Sequence, residues 1–247
     1  MSTEVTKQVL DKHFTLKTLF TNIFKDRVVD DSLIKTLQVV AMITLETPSH
    51  DNYTVIYHRI VDTDLKNFNF IHITRMALML LDLRQYEHGT WPGLILVIDL
   101  AGVSLGHLAK LDLLTVQQLL YFLQEGMLVR LKGLHFTNAP TYVDRLLMIL
   151  RPFLKPDLMS ILKVHSLGSN TLEQYIPLRA LPRDVGGEDI TFQQSIDEAT
   201  ARMRANADFF VQENRKRVTE SLRPGKPKTI SDVFHGVEGS FKKLDID

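Results

Sequence analysis

Gly102-Val103-Ser104-Leu105-Gly106 fits the G-x-S-x-G pattern that, in one large class of hydrolases, holds a nucleophilic serine on a tight strand-to-helix turn. Asp144 and His165 follow in the Ser, Asp, His order that a proton relay needs: the histidine takes the serine proton and the acid orients the histidine. The rest of that machinery is missing from the sequence. No His-Gly-Gly cluster precedes Leu94 to make an oxyanion hole, and helical spacing resumes only near Leu111-Asp112, not directly after Ser104. Asp144 falls inside a helical pattern and His165 at the end of a strand, where late catalytic loops would be required. The nine histidines contain neither H-E-x-x-H nor an i, i+4 pair, so metal ligation has no pattern to rest on. Asp184-Val185-Gly186-Gly187 and Gly236-Val237-Glu238-Gly239 lack the strand and helix context of phosphate loops and read as turns. Cysteine is absent, which excludes disulfides, thiol catalysis and thiolate metal sites. Neither a cofactor nor an enzymatic reaction is expected.

Lys+Arg and Asp+Glu both number 29, so no net field would gather nucleic acid, and any charged partner must be met by a local patch. Met1 to Lys12 is polar, and no apolar run approaches the roughly 18 residues of a membrane span, so a soluble, cytoplasmic, monomeric protein is expected. At 247 residues one large domain with helical flanks is the default.

The elements that would position these residues alternate. Helical spacing runs from Val5 to about Arg27, and Asp30 or Asp31 caps a second helix through Leu33, Ile34, Leu37 and Val40. Tyr53–Val61 reads as the first strand, Phe70–Leu83 as a helix, and Leu94–Asp99 as a strand apolar on both faces. Val116, Leu119, Leu120, Leu123 and Met127 mark the next helix, and strands follow at Leu131–Asn138 and Ile161–His165. Tyr142–Leu150 between them is apolar on more than one face, as in a helix that is buried or that alternates between two apolar partners. Thr191-Phe192-Gln193-Gln194 is a capping box for a long helix reaching about Leu222, and Val233–Leu244 reads as a docking tail. Strands alternating with helices predict an α/β fold with a largely parallel sheet and right-handed crossovers.

Three segments then combine: Asp99-Leu100-Ala101-Gly102-Val103-Ser104; Leu131-Lys132-Gly133-Leu134-His135-Phe136-Thr137-Asn138-Ala139-Pro140 leading into Arg151-Pro152-Phe153-Leu154; and Leu181-Pro182-Arg183-Asp184-Val185-Gly186-Gly187. In this order and at these intervals they resemble the CRAL-TRIO family of lipid-transfer proteins over about Tyr53 to Gly187. The tail from Gly236 is similar to insect members near the tocopherol-transfer and retinaldehyde-binding branch. The resemblance implies a mixed, mostly parallel sheet flooring an apolar pocket covered by helices, with the helix after Pro140 as a mobile gate. It divides the chain into N-terminal helices at 1–45, a lipid-binding domain at 46–190 and a C-terminal helix and tail at 191–247.

By position within that family, the pocket wall would include Ile73, Met76, Leu80, Leu94, Ile98, Phe122, Leu123, Met127, Val129 and Leu134. Val143, Leu147, Leu150 and Phe153 would close it from the gate, and Tyr53, Tyr57, His58 and Ser104 would be candidates to give a ligand hydroxyl a hydrogen bond. Arg130 and Lys132 match two positions of a phosphoinositide patch, but Asp157 and Ile161 stand where two more basic residues would be. The family's basic N-terminal Leu-x-Arg-Phe-Leu-x-Ala-Arg motif is also absent. The implied activity is capture and transfer of one small lipid (tocopherol, retinoid, carotenoid, sterol or sesquiterpenoid hormone) in a pocket of roughly 300–1,000 Å³, with transient membrane contact. The alternatives are a regulatory or scaffolding module that has lost the pocket, and a serine hydrolase using Ser104.

Overall fold

The computed structural model describes residues 3–234. Helix α1 (Thr3–Leu19) and the single turn α2 (Thr21–Phe24) open it, and Asp30 then caps α3 (Asp31–Leu37), accepting the Leu33 N–H at 2.8 Å. Val40, which apolar spacing assigns to this helix, instead begins β1 (Val40–Thr44), a strand the sequence did not announce. Five apolar or β-branched residues are too few for periodicity to separate strand from helix. Pairing decides it, because β1 lies antiparallel to β2 (Thr54–Ile60) with Val40 opposite Ile60 and Thr44 opposite Ile56. The sheet therefore begins inside the stretch 1–45 expected to be helical.

From β2 onward the chain alternates. Helix α4 (Phe70–His88) leads to β3 (Leu94–Asp99), and α5 (Leu105–Ala109) and α6 (Leu113–Glu125) lead to β4 (Leu131–Ala139). Helices α7 (Val143–Leu150) and α8 (Pro156–Ile161) then lead to β5 (Leu162–Ser166). The sheet order is β1-β2-β3-β4-β5, and every pairing after the first is parallel. Each crossover thus moves one strand over in the same direction. Right-handed crossovers that all step one way put their helices on one face of the sheet. Accordingly Leu81 of α4, Leu120 of α6 and Leu146 of α7 pack in one core with Ile56, Leu96 and Leu134.

The opposite face is covered by the chain beyond β5. Leu172, Ile176 and Leu181, with Phe192 and Ile196 of α9 (Phe192–Ala205), pack on Val55, Tyr57, Ile95 and Val97. That double cover explains why Leu94–Ile98 is apolar at every position. The capping box at Thr191 and Gln194 is present. The expected long helix nonetheless breaks at Asn206, whose side-chain amide donates to the Arg202 carbonyl at 2.9 Å, before α10 (Ala207–Glu213) resumes. The short α11 (Ile230–Phe234) returns to α2's neighbourhood, Phe234 stacking on Phe20 with ring centroids 5.6 Å apart. The rest of the expected docking tail lies outside the described residues.

A buried charge network locks the N-terminal helices to this frame. Lys17 reaches Asp82 of α4 at 2.9 Å and Glu213 of α10 at 2.5 Å, and Arg27 reaches Asp82 at 2.7 Å. Lysine and arginine draw both carboxylates below their ordinary range despite burial, which pushes the other way.

Candidate ligand-binding site

Two of the sequence segments that carried the family resemblance hold each other in the structure, and the third folds on itself. Asp99 ends β3, and its carboxylate accepts from the Tyr57 hydroxyl, Arg59 at 2.8 Å, the Ala101 N–H at 2.9 Å and the Asn138 amide at 2.8 Å. Asn138 takes a left-handed backbone, φ 49°, a region asparagine enters more readily than most residues. Gly102 turns the chain at φ 83°, where a Cβ would also stand 2.8 Å from Thr63 Cγ2. At Gly187 a Cβ would lie 1.8 Å from the Leu181 carbonyl oxygen, so the Leu-Pro-x-x-x-Gly-Gly segment folds on itself only with glycine there.

Ser104 is the N-cap of α5, so a helix does begin directly after it, earlier than the spacing near Leu111 implied. Its Oγ lies 2.8 Å from His107 Nδ1, which also accepts the Ser104 backbone N–H at 3.0 Å. The other two members of the Ser, Asp, His order are elsewhere. His165 stacks on His135, with Nε2 2.9 Å from His135 Nδ1, and its own Nδ1 meets the Thr171 hydroxyl at 2.7 Å. Asp144 is exposed on α7, and among the described residues no carboxylate supports His107, whose Nε2 has no hydrogen-bond partner there. A serine without an acid-backed base is a helix cap here, not an activated nucleophile.

Between the sheet and helices α4, α6 and α7 lies a cavity of about 270 Å³. Ile56, Leu96, Leu134 and Phe136 form its floor, and Leu146 and Leu150 of α7 form its roof. Of the residues read as wall or gate, Ile73, Ile98, Leu123, Leu134 and Leu150 reach it. Helix phase explains the misses on α4: Ile73, Ala77 and Leu81 recur every four residues toward the cavity. Met76 and Leu80 lie a quarter-turn or more away and pack with Leu33, Leu37 and Met203. Phe122 faces Phe24 of α2, ring centroids 4.8 Å apart. Leu94 and Val129 are buried in the surrounding core, and Met127 and Val129 border an outer groove. Val143, Leu147 and Phe153 are partly buried against the core beneath α7 without reaching the cavity. Tyr57 is a clear correction: it lies on the opposite sheet face, its hydroxyl given to Asp99. Burial and that carboxylate raise its phenol pKa.

Two kinds of wall residue were not foreseen. Val40 and Met42 enter through the unannounced β1, and His107 and Thr74 add polar side chains to a lining that is apolar apart from His58, Arg59 and Asp99. Ser104-x-x-His107 has capping-box spacing with histidine in place of Glu or Gln, a legible signal; nothing in the sequence singled out Thr74. His58, by contrast, is among the residues read as a hydrogen-bond partner for the ligand; it borders the cavity, and burial holds its pKa down to about 4.

Helix α7 is pinned at both ends. The Tyr142 hydroxyl donates to the Val103 carbonyl at its start. At its far end Gln124 of α6 donates to the Phe153 carbonyl at 3.0 Å and accepts the Lys155 N–H at 2.7 Å. Leu146 and Leu150 face inward, whereas Met148 is 69% exposed on the outer face. Arg130 and Lys132 are exposed along the outer groove that also holds Trp91, Lys155 and Asp157. The Lys132 ammonium lies 5.5 Å from the Tyr53 ring centroid. Among the described residues no group of three metal-binding side chains occurs, and no helix is long and apolar enough to cross a membrane.

The structure is thus a one-way-stepping sheet that floors an apolar cavity under a pinned helix. Residues 41–187 match the family model of the CRAL/TRIO domain, and the chain belongs to that family. It is 28% identical to Clavesin-1 of Xenopus laevis over 182 residues, covering 73% of this chain and 55% of the relative. It is 29% identical to the alpha-tocopherol transfer protein-like protein of Homo sapiens over 144 residues, covering 58% and 41%. The chain therefore spans about half the length of these relatives. The crystal structure of Sfh5 aligns with a TM-score of 0.39 at 14% identity, over 62% of this chain and 54% of that one.

Proposed function

We propose that this chain encloses one small hydrophobic ligand between its sheet and helix α7, and loads and releases it by displacement of that helix. The observation that carries the reading is the cavity of about 270 Å³ between sheet and helices, roofed by Leu146 and Leu150. Burial of ligand apolar area, at roughly 25 cal/mol per Å², supplies the affinity and offsets the cost of immobilising the guest. The volume sits just under the roughly 300–1,000 Å³ usual for ligand pockets. A sesquiterpenoid or small retinoid suits it better than a sterol or carotenoid, which would need α7 to stand off. The names of the tocopherol transfer-like relatives support a lipophilic guest. Exposed Met148 on α7 supports entry of that helix into a membrane surface, with Arg130 and Lys132 as contacts for anionic lipid and Asp157 as a brake on phosphate binding.

Native mass spectrometry of the protein purified from its own tissue, followed by organic extraction, tests the reading. One stoichiometric lipophile is expected. A companion Leu147→Asp variant, placing a charge on the half-buried flank of α7, is expected to keep the fold and lose most of its loading rate. Protein that arrives empty and takes up no lipid from a fluorescent panel would transfer the case to an interaction module.

A further inference from the structure

Two buried polar atoms belong to residues of the cavity wall and have no hydrogen-bond partner among the described residues: His107 Nε2 and Thr74 Oγ1. Both residues are 2% exposed. Buried polar groups are ordinarily paired, and a helical threonine ordinarily returns its hydroxyl to the carbonyl four residues back, so each orphan is a standing cost. The tautomer of His107 is fixed by its cap. Nδ1 accepts the Ser104 N–H at 3.0 Å, which leaves the ring hydrogen on Nε2. Burial lowers the His107 pKa, so the ring stays neutral and Nε2–H is a donor. Phe68, edge-on with its centroid 4.9 Å away, offers no lone pair. The remaining ionic wall groups are spoken for: Arg59 is paired with Asp99 at 2.8 Å.

The geometry points to a ligand that carries one uncharged oxygen, a hydroxyl or carbonyl, seated against His107 Nε2 or Thr74 Oγ1 at the cavity wall. The inference rests on the carrier reading and narrows it. A carbonyl accepts from either group; a hydroxyl accepts from His107 or donates to Thr74. A carboxylate or phosphate would enter without a free countercharge and lose its hydration, so an ionised lipid head is disfavoured. A pure hydrocarbon would fill the space but leave both atoms unpaired.

The test compares two probes of one skeleton, farnesol and its hydrocarbon counterpart farnesene, each titrated against Nile red bound to the full chain. Wild type is expected to hold farnesol about tenfold more tightly, the ratio that one hydrogen bond of about 1.4 kcal/mol produces. Thr74→Val keeps shape and helix, and His107→Leu removes the donor; at least one of them is expected to cut the farnesol-over-farnesene preference severalfold. Thr74→Val is also expected to raise the melting temperature of the empty protein, because it deletes an unpaired buried hydroxyl. Equal affinity of wild type for both probes, or a preference that survives both variants, overturns the polar seat and leaves the carrier standing. Failure of wild type to bind Nile red or either probe overturns the carrier reading and the seat with it.

Discussion

Emptying the cavity should weaken the fold by an amount that its size sets. At roughly 24 cal/mol per Å³ of unfilled space, about 270 Å³ corresponds to about 6 kcal/mol. That is an upper bound, since walls relax inward and water can enter beside His107. It is still large against the roughly 5–15 kcal/mol of a whole domain. A ligand at a hundred times its Kd returns about 2.7 kcal/mol by mass action. For a chain of this length that is roughly 5–11 °C in melting temperature. Scanning calorimetry of protein as purified, after exhaustive delipidation, and after reloading should therefore give a high, a low and a restored transition. The reloaded transition should climb further with each decade of ligand. Identical melting in all three samples would refute the argument that this space is held open for a guest.

Three further outcomes rest on named contacts. Tyr142→Phe removes the hydroxyl that ties α7 to the Val103 carbonyl; ligand exchange should quicken several-fold in stopped-flow release, and an unchanged rate would mean that α7 is not pinned there. Lys17→Met removes the cation shared by buried Asp82 and Glu213, leaving Asp82 to Arg27 and Glu213 to Arg27 and Lys216, and should cost about 3–5 kcal/mol in urea unfolding; a loss below about 1 kcal/mol would mean the network is hydrated. His13, on the Gly126 carbonyl, and His135, stacked with His165, are both held near 4 by burial. The unfolded chain then binds more protons than the folded one between about pH 6.5 and pH 4, so stability should fall as pH drops through that window. The loss is at most about 2 kcal/mol per histidine by pH 5. His135→Phe should flatten the slope, and a flat wild-type profile would contradict the burial of these rings as neutral groups.

Much of the frame was legible because its signals are local and strong. Leu94–Asp99 reads as a strand since nearly every position is apolar, and the structure covers both its faces. The capping box at Thr191 and Gln194 marks a helix start within its own four residues. The parts that were not legible depend on partners distant in the chain. Val40–Thr44 becomes a strand only because Thr54–Ile60 is there to pair with it. Met76 and Leu80 carry the same apolar signature as Ile73 and Leu81, and helix phase relative to the sheet, not residue type, decides which two see the cavity. Tyr57 alternates to the wrong face by a single residue.

The residues that made the family recognisable are mostly not the residues placed to choose a ligand. Asp99, Gly102, Asn138 and Gly187 satisfy one another or the backbone, and their geometry fixes where the β3 loop and the start of α7 must lie. Val103, one residue beyond Gly102, supplies the carbonyl that Tyr142 holds, so the interlock sets the hinge of the roof rather than the chemistry beneath it. The wall itself is built from interchangeable apolar side chains at positions set by register and helix phase, and the unpaired polar atoms on it sit at His107 and Thr74, outside those motifs. A chain can keep the interlock and change its guest by exchanging a few wall residues, at little cost to the fold. The ligand should therefore be sought by exchanging Thr74 and His107, and not inferred from the segments that carry the family resemblance.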